Sequence, residues 1–251
     1  MHTGVRMWKR LRRRRILFLF SLRRMCVKSI WRRVSSLQRF ALGLFESSLQ
    51  IRFVFFMIAD GYTDLAPGKI ASVVTYLEMV ERPATYQGPG GIRLQPIQNA
   101  GLDWYRAIYR RAGAQWLWFS RLEMNDGQLR ELLKLPSNEL FVAEQDGNEI
   151  GMAELDRAEA ANVEITSFAL FAEAIGKGLG RPFMGMLLNC AWDAAARRVW
   201  LHTCNLDGPA ALGFYTKCGF RPYKRAIEVV DDPRIRGILP ENAAPQVPII
   251  R

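Results

Sequence analysis

The stretch Ile175-Gly-Lys-Gly-Leu-Gly-Arg-Pro182 decides the fold, because it joins a predicted strand to a predicted helix through three glycines at alternate positions. The N–H groups in the first turn of a helix have no partner within it, and the helix dipole favours negative charge there. Glycines let a phosphate approach the backbone, and Lys177 and Arg181 add positive charge. The stretch therefore predicts a phosphate-binding loop, although glycines here are also compatible with a simple tight turn.

Two common phosphate-binding motifs are excluded by their spacing. A dinucleotide-binding fingerprint needs a small residue at position 181, where this chain has Arg181. A P-loop needs Gly-Lys followed by Ser or Thr, whereas Lys177 is followed by Gly178. The glycine loop therefore predicts an anion site of another kind.

Working outward from this loop, the hydrophobic periodicity and the glycine and proline punctuation predict a mixed order of strands and helices. The predicted strands are 71–79, 92–97, 139–144, 149–154, 163–170, 199–203 and 226–230. The predicted helices are 102–118, a short helix from Asn125-Asp126 to near Leu135, a helix from about Gly178, and 209–217. Asp146-Gly147 predicts a tight hairpin, because both residues tolerate positive φ angles.

The helix after the glycine loop has an apolar stripe, which predicts that it packs on the sheet. The stripe consists of Leu179, Phe183, Met186, Leu187, Cys190, Ala191 and Ala194. Because Cys190 belongs to this stripe, we expect it to be a buried structural thiol. The four cysteines contain no C-x-x-C pair and the chain has two histidines, so neither a disulfide framework nor a metal site is predicted. A reducing, cytoplasmic location fits this composition best.

The segment one strand later is Asn205-Leu-Asp-Gly-Pro-Ala-Ala-Leu-Gly-Phe-Tyr-Thr-Lys-Cys-Gly-Phe220. With the glycine loop, it resembles the GNAT acetyltransferase superfamily, whose loop runs Gln/Arg-x-x-Gly-x-Gly/Ala. The later family segment runs Asn-x-x-Ala-x-x-Phe/Leu-Tyr-x-x-x-Gly-Phe. The resemblance covers about residues 92–230. Two departures are Ile175 in place of Gln or Arg, and one extra residue between Asn205 and Tyr215.

This resemblance implies an α/β fold of the α+β type, with a mixed, largely antiparallel central sheet flanked by helices on both faces. It also implies acetyl-CoA as co-substrate, no metal, and direct attack of a primary amine on the acetyl group in a ternary complex. The residues that it places at the co-substrate are Phe168, Leu170, Ile175, Gly176, Lys177, Gly178, Leu179, Gly180, Arg181 and Asn205. A backbone N–H near Phe168 to Leu170 would meet the oxyanion.

The resemblance also places a general acid at Tyr215, whose ring is equally suited to helix packing. Glu164 is the first candidate for the base and Glu154 the second, while a merely solvated glutamate or a water relay stays open. His202 is a further candidate acid or base, or a histidine satisfied at a strand end. Four aromatic side chains are predicted to be core, or to line a pocket for the amine: Trp104, Trp116, Trp118 and Phe119.

The charge divides the 251-residue chain into unequal parts. The whole chain carries a net charge of +11. Residues 1–56 contain 14 of its 35 Lys and Arg residues and only one of its 24 Asp and Glu residues. The predicted organisation is a basic extension at 1–56, a strand and loop at 57–91, the acyltransferase domain at 92–230 and a proline-rich tail at 231–251. The tail is expected to lie along the surface or to be mobile. Translation from Met57 is the favoured explanation of the extension, and disorder, a transit peptide or membrane association are alternatives.

Several functions remain compatible with the sequence. The acceptor can be a small-molecule or a peptide amine, and no nucleic acid is expected at the core domain, which is nearly neutral. No transmembrane segment is predicted, and a homodimer is one open state. The alternatives to catalysis are an inactive CoA-binding regulatory module, and association with a membrane or nucleic acid through residues 1–56.

Overall fold

A seven-stranded sheet organises the computed structural model, which describes residues 60–85 and 91–251. The strands are β1 Lys69–Met79, β2 Arg93–Ile97, β3 Asn138–Gln145, β4 Asn148–Asp156, β5 Asn162–Leu170, β6 Arg198–Cys204 and β7 Arg221–Asp231. Their order across the sheet is β2-β3-β4-β5-β6-β1-β7. Neighbours are antiparallel except for the parallel pair β5 and β6. The expectations for residues 1–56 and for Met57 lie outside the described residues.

Strand β1 comes first in the chain but lies between β6 and β7. Tyr76 pairs with His202 of β6 on one side and with Lys224 of β7 on the other. The predicted boundary at residue 91 therefore separates strands that belong to one sheet. Strand β7 is also longer than the predicted 226–230, because it pairs with β1 along most of its length.

Four α-helices accompany the sheet in the described part of the chain. They are α1 Leu102–Gly113, α2 Asp126–Lys134, α3 Gly180–Ala191 and α4 Ala211–Lys217, with short 3-10 turns at Ala114–Trp116 and Ala172–Ala174. Asn125 caps α2 through a capping box with Gln128, as the sequence predicts. Within residues 60–85 and 91–251, none of the helices is both long enough and apolar enough to cross a bilayer.

Helices cover both faces of the sheet, and alternation along β3 shows why. Leu140 and Val142 pack with α1 and α2, whereas Phe141 and Ala143 pack with α3 and α4. Successive side chains of a strand point to opposite faces, so one strand contributes to both cores. This arrangement confirms the predicted fold class.

Helix α1 ends five residues before the predicted residue 118. A Cβ atom on Gly113 would lie 2.3 Å from the Cβ atom of Trp118, so only glycine permits the chain to fold back at this place. Trp118 N–H donates to the carbonyl of Gly113 at 3.0 Å, and Leu117 adopts a positive φ of 58°. The apolar residues within 114–118 therefore belong to this turn and do not continue helix α1.

Two expectations about burial are wrong. Cys190 is exposed, because the buried side of α3 is formed by Phe183, Met184, Leu187, Leu188 and Ala191. The helix ends at Ala191, so the predicted stripe to Ala194 does not continue. The tail at 231–251 is also not a surface strip, since it contributes Leu239, Ala243 and Ala244 to a buried cluster with Ile70 and Leu117.

Candidate functional site

The parallel strands β5 and β6 part in the middle of the sheet. Their pairing runs from Asn162 opposite Arg198 to Ile165 opposite Leu201, yet β5 continues to Leu170 and β6 to Cys204. On the other side of β5, Glu154 pairs with Ser167 and Leu155 with Ile165, which leaves Thr166 as an extra residue in a bulge. A bulge bends its strand, so the break in pairing begins where β5 bends. We call the opening between residues 166–170 and 202–204 the cleft.

The glycine loop follows β5 and leads into α3. Gly176 and Gly178 have φ angles of 81° and 77°, and a Cβ atom at either would meet no atom within 4 Å. Among the described residues, no N–H of residues 176–181 donates to a backbone carbonyl. The side chains of Lys177 and Arg181 are exposed beside these free donors. The loop therefore presents N–H groups and positive charge to open space, as a phosphate site requires.

Aromatic rings connect the glycine loop to the end of β5 and to α4. Phe168 of β5 lies 4.5 Å from Phe183 and 5.8 Å from Phe214, measured between ring centroids. A Cβ atom on Gly180 would lie 3.2 Å from Phe214 Cε2 and 3.8 Å from a methyl group of Leu170. The predicted co-substrate residues Phe168, Leu170 and Gly180 are therefore neighbours in space.

Tyr215 lies on α4 against the same rings. Its ring meets Phe168, Phe214 and Phe220 edge-on, at centroid distances of 5.5 to 6.3 Å. Burial raises the pKa of the Tyr215 phenol well above its usual value, and the nearby Asp207 adds to this shift. The phenol is therefore protonated at neutral pH.

Glu164 and His202 face each other across the last rungs of the parallel ladder. Glu164 precedes Ile165 on β5, His202 follows Leu201 on β6, and Glu164 Oε1 lies 3.6 Å from His202 Nδ1. Interaction with the Glu164 carboxylate raises the pKa of His202, although partial burial opposes this shift. The His202 side chain is 46% exposed, so its ring remains accessible to a ligand.

Glu154 is not a solvated residue, because it is fully buried on β4, where it pairs with Ser167 of β5. Tyr105 Oη donates to Glu154 Oε1 and Ser167 Oγ donates to Glu154 Oε2, both at 2.8 Å. Arg121 Nε lies 3.7 Å from Glu154 Oε2 and compensates its charge. Burial, and then the charge of Glu154, raises the pKa of the Tyr105 phenol, so that Tyr105 remains the donor. Both carboxylate oxygens are thus occupied.

The segment between α1 and α2, residues 114–125, reaches both sides of the cleft; we call it the tryptophan loop. Its Arg121 pairs with Glu154 of β4. Its Trp118 donates from Nε1 to Asp207 Oδ1 at 3.0 Å, in the turn between β6 and α4. Trp116 packs against the same turn, where a Cβ atom on Gly208 would lie 3.4 Å from its ring.

The four aromatic candidates of the sequence are half-buried. Trp104 and Trp118 border the core under α1 and α2, and Phe119 borders the cluster around Leu117. Core packing therefore holds for these three rings. Trp116 and Trp118 also lie on the loop beside the cleft, so a pocket role stays a prediction for them.

Asn205 is engaged in the fold. Its Oδ1 accepts a hydrogen bond from Val73 N–H at 2.6 Å, and its own N–H donates to the Val73 carbonyl at 3.3 Å. These bonds attach β1 to the end of β6. The side-chain oxygen of Asn205, a residue that the resemblance places at the co-substrate, is therefore already bonded to β1. Ile175, at the position of the family Gln or Arg, is 51% exposed and makes the loop edge apolar.

Three functional candidates escaped the sequence reasoning: Asp207, Arg121 and Ser167. Asp207 lies in the segment Asn205–Phe220 that carries the resemblance. Its carboxylate accepts hydrogen bonds from Trp118 Nε1, from Thr203 Oγ1 at 2.6 Å and from Cys204 N–H at 2.9 Å. An aspartate three residues after a strand end is a typical turn acceptor, which is the signal that could have identified it. No sequence pattern pairs Arg121 or Ser167 with Glu154.

No metal site is apparent in the described part of the chain, where no three His, Cys, Asp or Glu side chains group suitably.

Residues 102–220 match the model of the acetyltransferase (GNAT) family. Uncharacterised N-acetyltransferases of Mycobacterium bovis and Mycobacterium tuberculosis are each 31% identical over 103 residues, which is 41% of this chain. The matched region covers 65% of the length of these relatives.

Solved structures of similar fold include a GCN5-related N-acetyltransferase from Sphaerobacter thermophilus, at 14% identity and a TM-score of 0.49. That match covers 64% of this chain and 52% of the other. A GNAT family acetyltransferase from Elizabethkingia anophelis with acetyl-CoA bound is 19% identical with a TM-score of 0.42. It covers 54% of this chain and 80% of the other.

Proposed function

We propose that the chain is a member of the acetyltransferase (GNAT) family, whose model its residues 102–220 match, and that it transfers an acetyl group from acetyl-CoA to a primary amine. The observation that carries this proposal is the cleft. It opens where β5 and β6 part after Ile165 and Leu201, with the glycine loop beyond the end of β5. The whole protein is proposed to act in the cytoplasm, with residues 92–230 as its catalytic domain and β1 as part of the same sheet.

The glycine loop fits the pyrophosphate of the co-substrate. Open space at Gly176 and Gly178, free N–H groups and exposed Lys177 and Arg181 are the features that a dianionic pyrophosphate needs. Ile175 adds no polar contact, so the backbone donors of residues 176–181 carry this interaction. The unpaired edge of β5 at residues 166–170 offers further N–H groups, and one near Phe168 would donate to the carbonyl oxygen of the acetyl group.

The thioester supplies an acetyl group that is already activated. The amine nitrogen forms a bond to the acetyl carbon, the carbon–sulfur bond breaks, the amine loses a proton and the thiolate gains one. Tyr215 is the proposed donor to the thiolate. Its raised pKa means that its proton is present at neutral pH, and its place between Phe168 and Phe214 puts it beside the cleft.

Glu164 and His202 are the proposed acceptor of the amine proton. They face each other at the rung where the strands part, and the imidazole remains half-exposed. An imidazole that is paired with a carboxylate has a pKa close to neutral pH, where a general base works best. Glu164 then acts by holding His202 and raising its pKa, and the neutral ring takes the proton.

Glu154 is a less suitable base in this arrangement. Its oxygens accept from Tyr105 and Ser167, so an amine would first have to displace one of these donors. We propose instead that Glu154 holds the tryptophan loop through Arg121. A relay from the amine through Ser167 to Glu154 is the one route by which Glu154 would still accept a proton.

Acetyl transfer can be measured as thiol release from acetyl-CoA in the presence of primary amines. The panel consists of amino acids, linear polyamines, arylalkylamines and a peptide with a free lysine, each with a no-amine control. We expect release that depends on both protein and amine, together with acetylated amine detected by mass spectrometry. Acetyl-CoA binding without transfer to any amine of the panel would contradict catalysis and favour a CoA-binding regulatory module.

A further inference from the structure

The segment after β7, residues 232–251, packs directly on the tryptophan loop. Its Leu239, Ala243 and Ala244 share a buried cluster with Leu117, and Phe119 and Leu122 of the loop border that cluster. Two polar contacts flank it. Gln246 Nε2 donates to the Gln115 carbonyl at 2.9 Å, and Arg236 forms an ion pair with Glu123. The contact therefore extends along most of the loop.

One buried arginine shapes this segment. Arg234 is 5% exposed and donates from Nε and Nη2 to the two carboxylate oxygens of Asp232, at 2.9 and 2.6 Å. Its Nη1 donates to the carbonyls of Ala243, Ala244 and Val247 at 2.8 to 3.2 Å. A buried guanidinium whose donors are satisfied in this way fixes the backbone around it. The segment is thus a shaped element and not a loose tail.

The tryptophan loop needs such a support. After α1 ends, it contains one short 3-10 turn, a residue at positive φ, Leu117, and a turn closed on the Phe119 carbonyl, so its backbone–backbone hydrogen bonds are all local. Its functional contacts are single side chains, Trp118 to Asp207 and Arg121 to Glu154. The packed segment behind it supplies three of the buried residues that share a cluster with Leu117. Local turns do not fix where a loop lies relative to the sheet, so its position depends on the neighbours that pack on it.

We propose that residues 232–251 are a clamp that holds the tryptophan loop beside the cleft and thereby determines how amines reach the acetyl group. The inference rests on the proposed acetyl transfer for its effect on amine use, but the clamp itself is a property of the fold. No residue of the glycine loop belongs to the buried cluster of the clamp or to its two polar contacts. Loosening the clamp should therefore change amine use and leave acetyl-CoA binding intact.

Two variants of the full chain test the clamp. Leu239→Ala removes the largest buried side chain that the segment contributes to the shared cluster. Arg236→Glu places like charges opposite Glu123, and the charge swap Arg236→Glu with Glu123→Arg restores opposite charges. Arg251→Glu is the matched control, because it reverses the same kind of exposed pair, with Glu241, inside the segment itself.

The first readout is hydrogen exchange of residues 114–123, which needs no substrate. We expect faster exchange in Leu239→Ala and in Arg236→Glu, by about two- to fivefold in the latter as the usual strength of an exposed pair implies. The charge swap should return exchange to the wild-type rate, and the control should not change it. Unchanged exchange in both Leu239→Ala and Arg236→Glu would overturn the clamp, whether or not the protein transfers acetyl groups.

The second readout is kinetic and uses the amine with the highest rate in the panel above. We expect Leu239→Ala to raise KM for that amine more than it lowers kcat, with an unchanged Kd for acetyl-CoA. A change of global stability alone would lower the active fraction and leave KM as it was. Loosened exchange with an unaltered KM would contradict the control of amine access, and absence of any transfer would count against the proposed function but not against the clamp.

Discussion

Trp118 Nε1 donates to Asp207 Oδ1 at 3.0 Å, and this bond joins the tryptophan loop to the turn between β6 and α4. The other oxygen of Asp207 accepts from Thr203 Oγ1 and from Cys204 N–H. Asp207→Ala leaves these three donors without their partner, which should lower the free energy of unfolding by about 1–3 kcal/mol. Urea denaturation followed by tryptophan fluorescence measures this loss. Asp64→Ala, in an exposed irregular segment, is the control, and equal midpoints for the two variants would contradict the role of Asp207.

Gly113 and Gly213 should respond in opposite ways to alanine. The Cβ atom of Gly113→Ala would overlap Trp118, so we expect a loss of about 1–3 kcal/mol from overpacking. A Cβ atom on Gly213 meets nothing within 4 Å inside α4, so Gly213→Ala should stabilise the protein by up to about 1 kcal/mol. Thermal unfolding of both variants tests the turn after α1. A stable Gly113→Ala would show that the chain can turn here without close contact.

The sequence predicts most of the sheet because local patterns determine strands. Asp146-Gly147 forms the predicted hairpin turn with φ angles of 50° and 79°, and Asn125 caps α2. The predictions that were wrong concern features that depend on tertiary contacts. The spacing of residues 114–118 is helical, but the contact of Trp118 with Gly113 ends α1 early. The insertion of β1 between β6 and β7 joins residues more than 120 positions apart, for example Tyr76 and His202, and no local pattern encodes that pairing.

Acetyl transfer should depend on pH through His202. The interaction with Glu164 raises the pKa of His202 above its usual value of about 6.5. Because the neutral ring is the proposed base, kcat/KM should increase as pH rises through this raised pKa. Glu164→Gln removes the carboxylate, so the inflection should move to lower pH, and His202→Asn should abolish it. An inflection that survives in His202→Asn would exclude His202 as the base.

The same pair predicts a small pH dependence of stability. A raised pKa in the folded state means that the charged imidazole is favoured by folding. The contribution is therefore complete below the ordinary pKa of about 6.5 and disappears as pH rises through the folded value. The linkage relation requires that the denaturation midpoints of wild type and Glu164→Gln differ at about pH 5.5, below the ordinary pKa of histidine. The two midpoints should converge above the pKa of His202 in the folded protein. A constant difference at all pH values would contradict the pairing.

Tyr215→Phe keeps the ring contacts with Phe168, Phe214 and Phe220 and removes only the hydroxyl. If Tyr215 protonates the leaving thiolate, kcat should fall by about 100-fold or more, within the usual range for a lost general acid. The Kd for acetyl-CoA should stay the same. Tyr109→Phe is the matched control, because it removes a buried hydroxyl that bonds to Ser120 and to the Arg121 backbone and has no part in the proposed proton transfer. Equal kcat values for wild type and Tyr215→Phe would remove Tyr215 from the mechanism.

The parts of the site that the sequence predicts are those whose residues lie close together in the chain. The glycine loop and Tyr215 lie in short motifs, and the structure brings Gly180 next to Phe214 and Tyr215 next to Phe168, while their roles stay predictions. Glu154 was the second candidate for the base, with a solvated glutamate as the alternative, but it is buried because Tyr105, Ser167 and Arg121 converge on it from three separate segments. Such convergence depends on the packing of α1 and the tryptophan loop over β4 and β5. A single sequence contains no sign of it.

The central claim is that the glycine loop binds the pyrophosphate of acetyl-CoA, and calorimetry with the full chain tests it most directly. Gly178→Glu puts a negative charge into the loop, and Gly147→Glu is a matched control with the same charge, a similar φ of 79° and equally open space in the hairpin turn. We predict that wild type and Gly147→Glu bind alike, and that Gly178→Glu binds at least about tenfold more weakly, a loss of about 1.4 kcal/mol. Equal binding by Gly178→Glu and Gly147→Glu, or no binding by the folded wild type, would contradict the account.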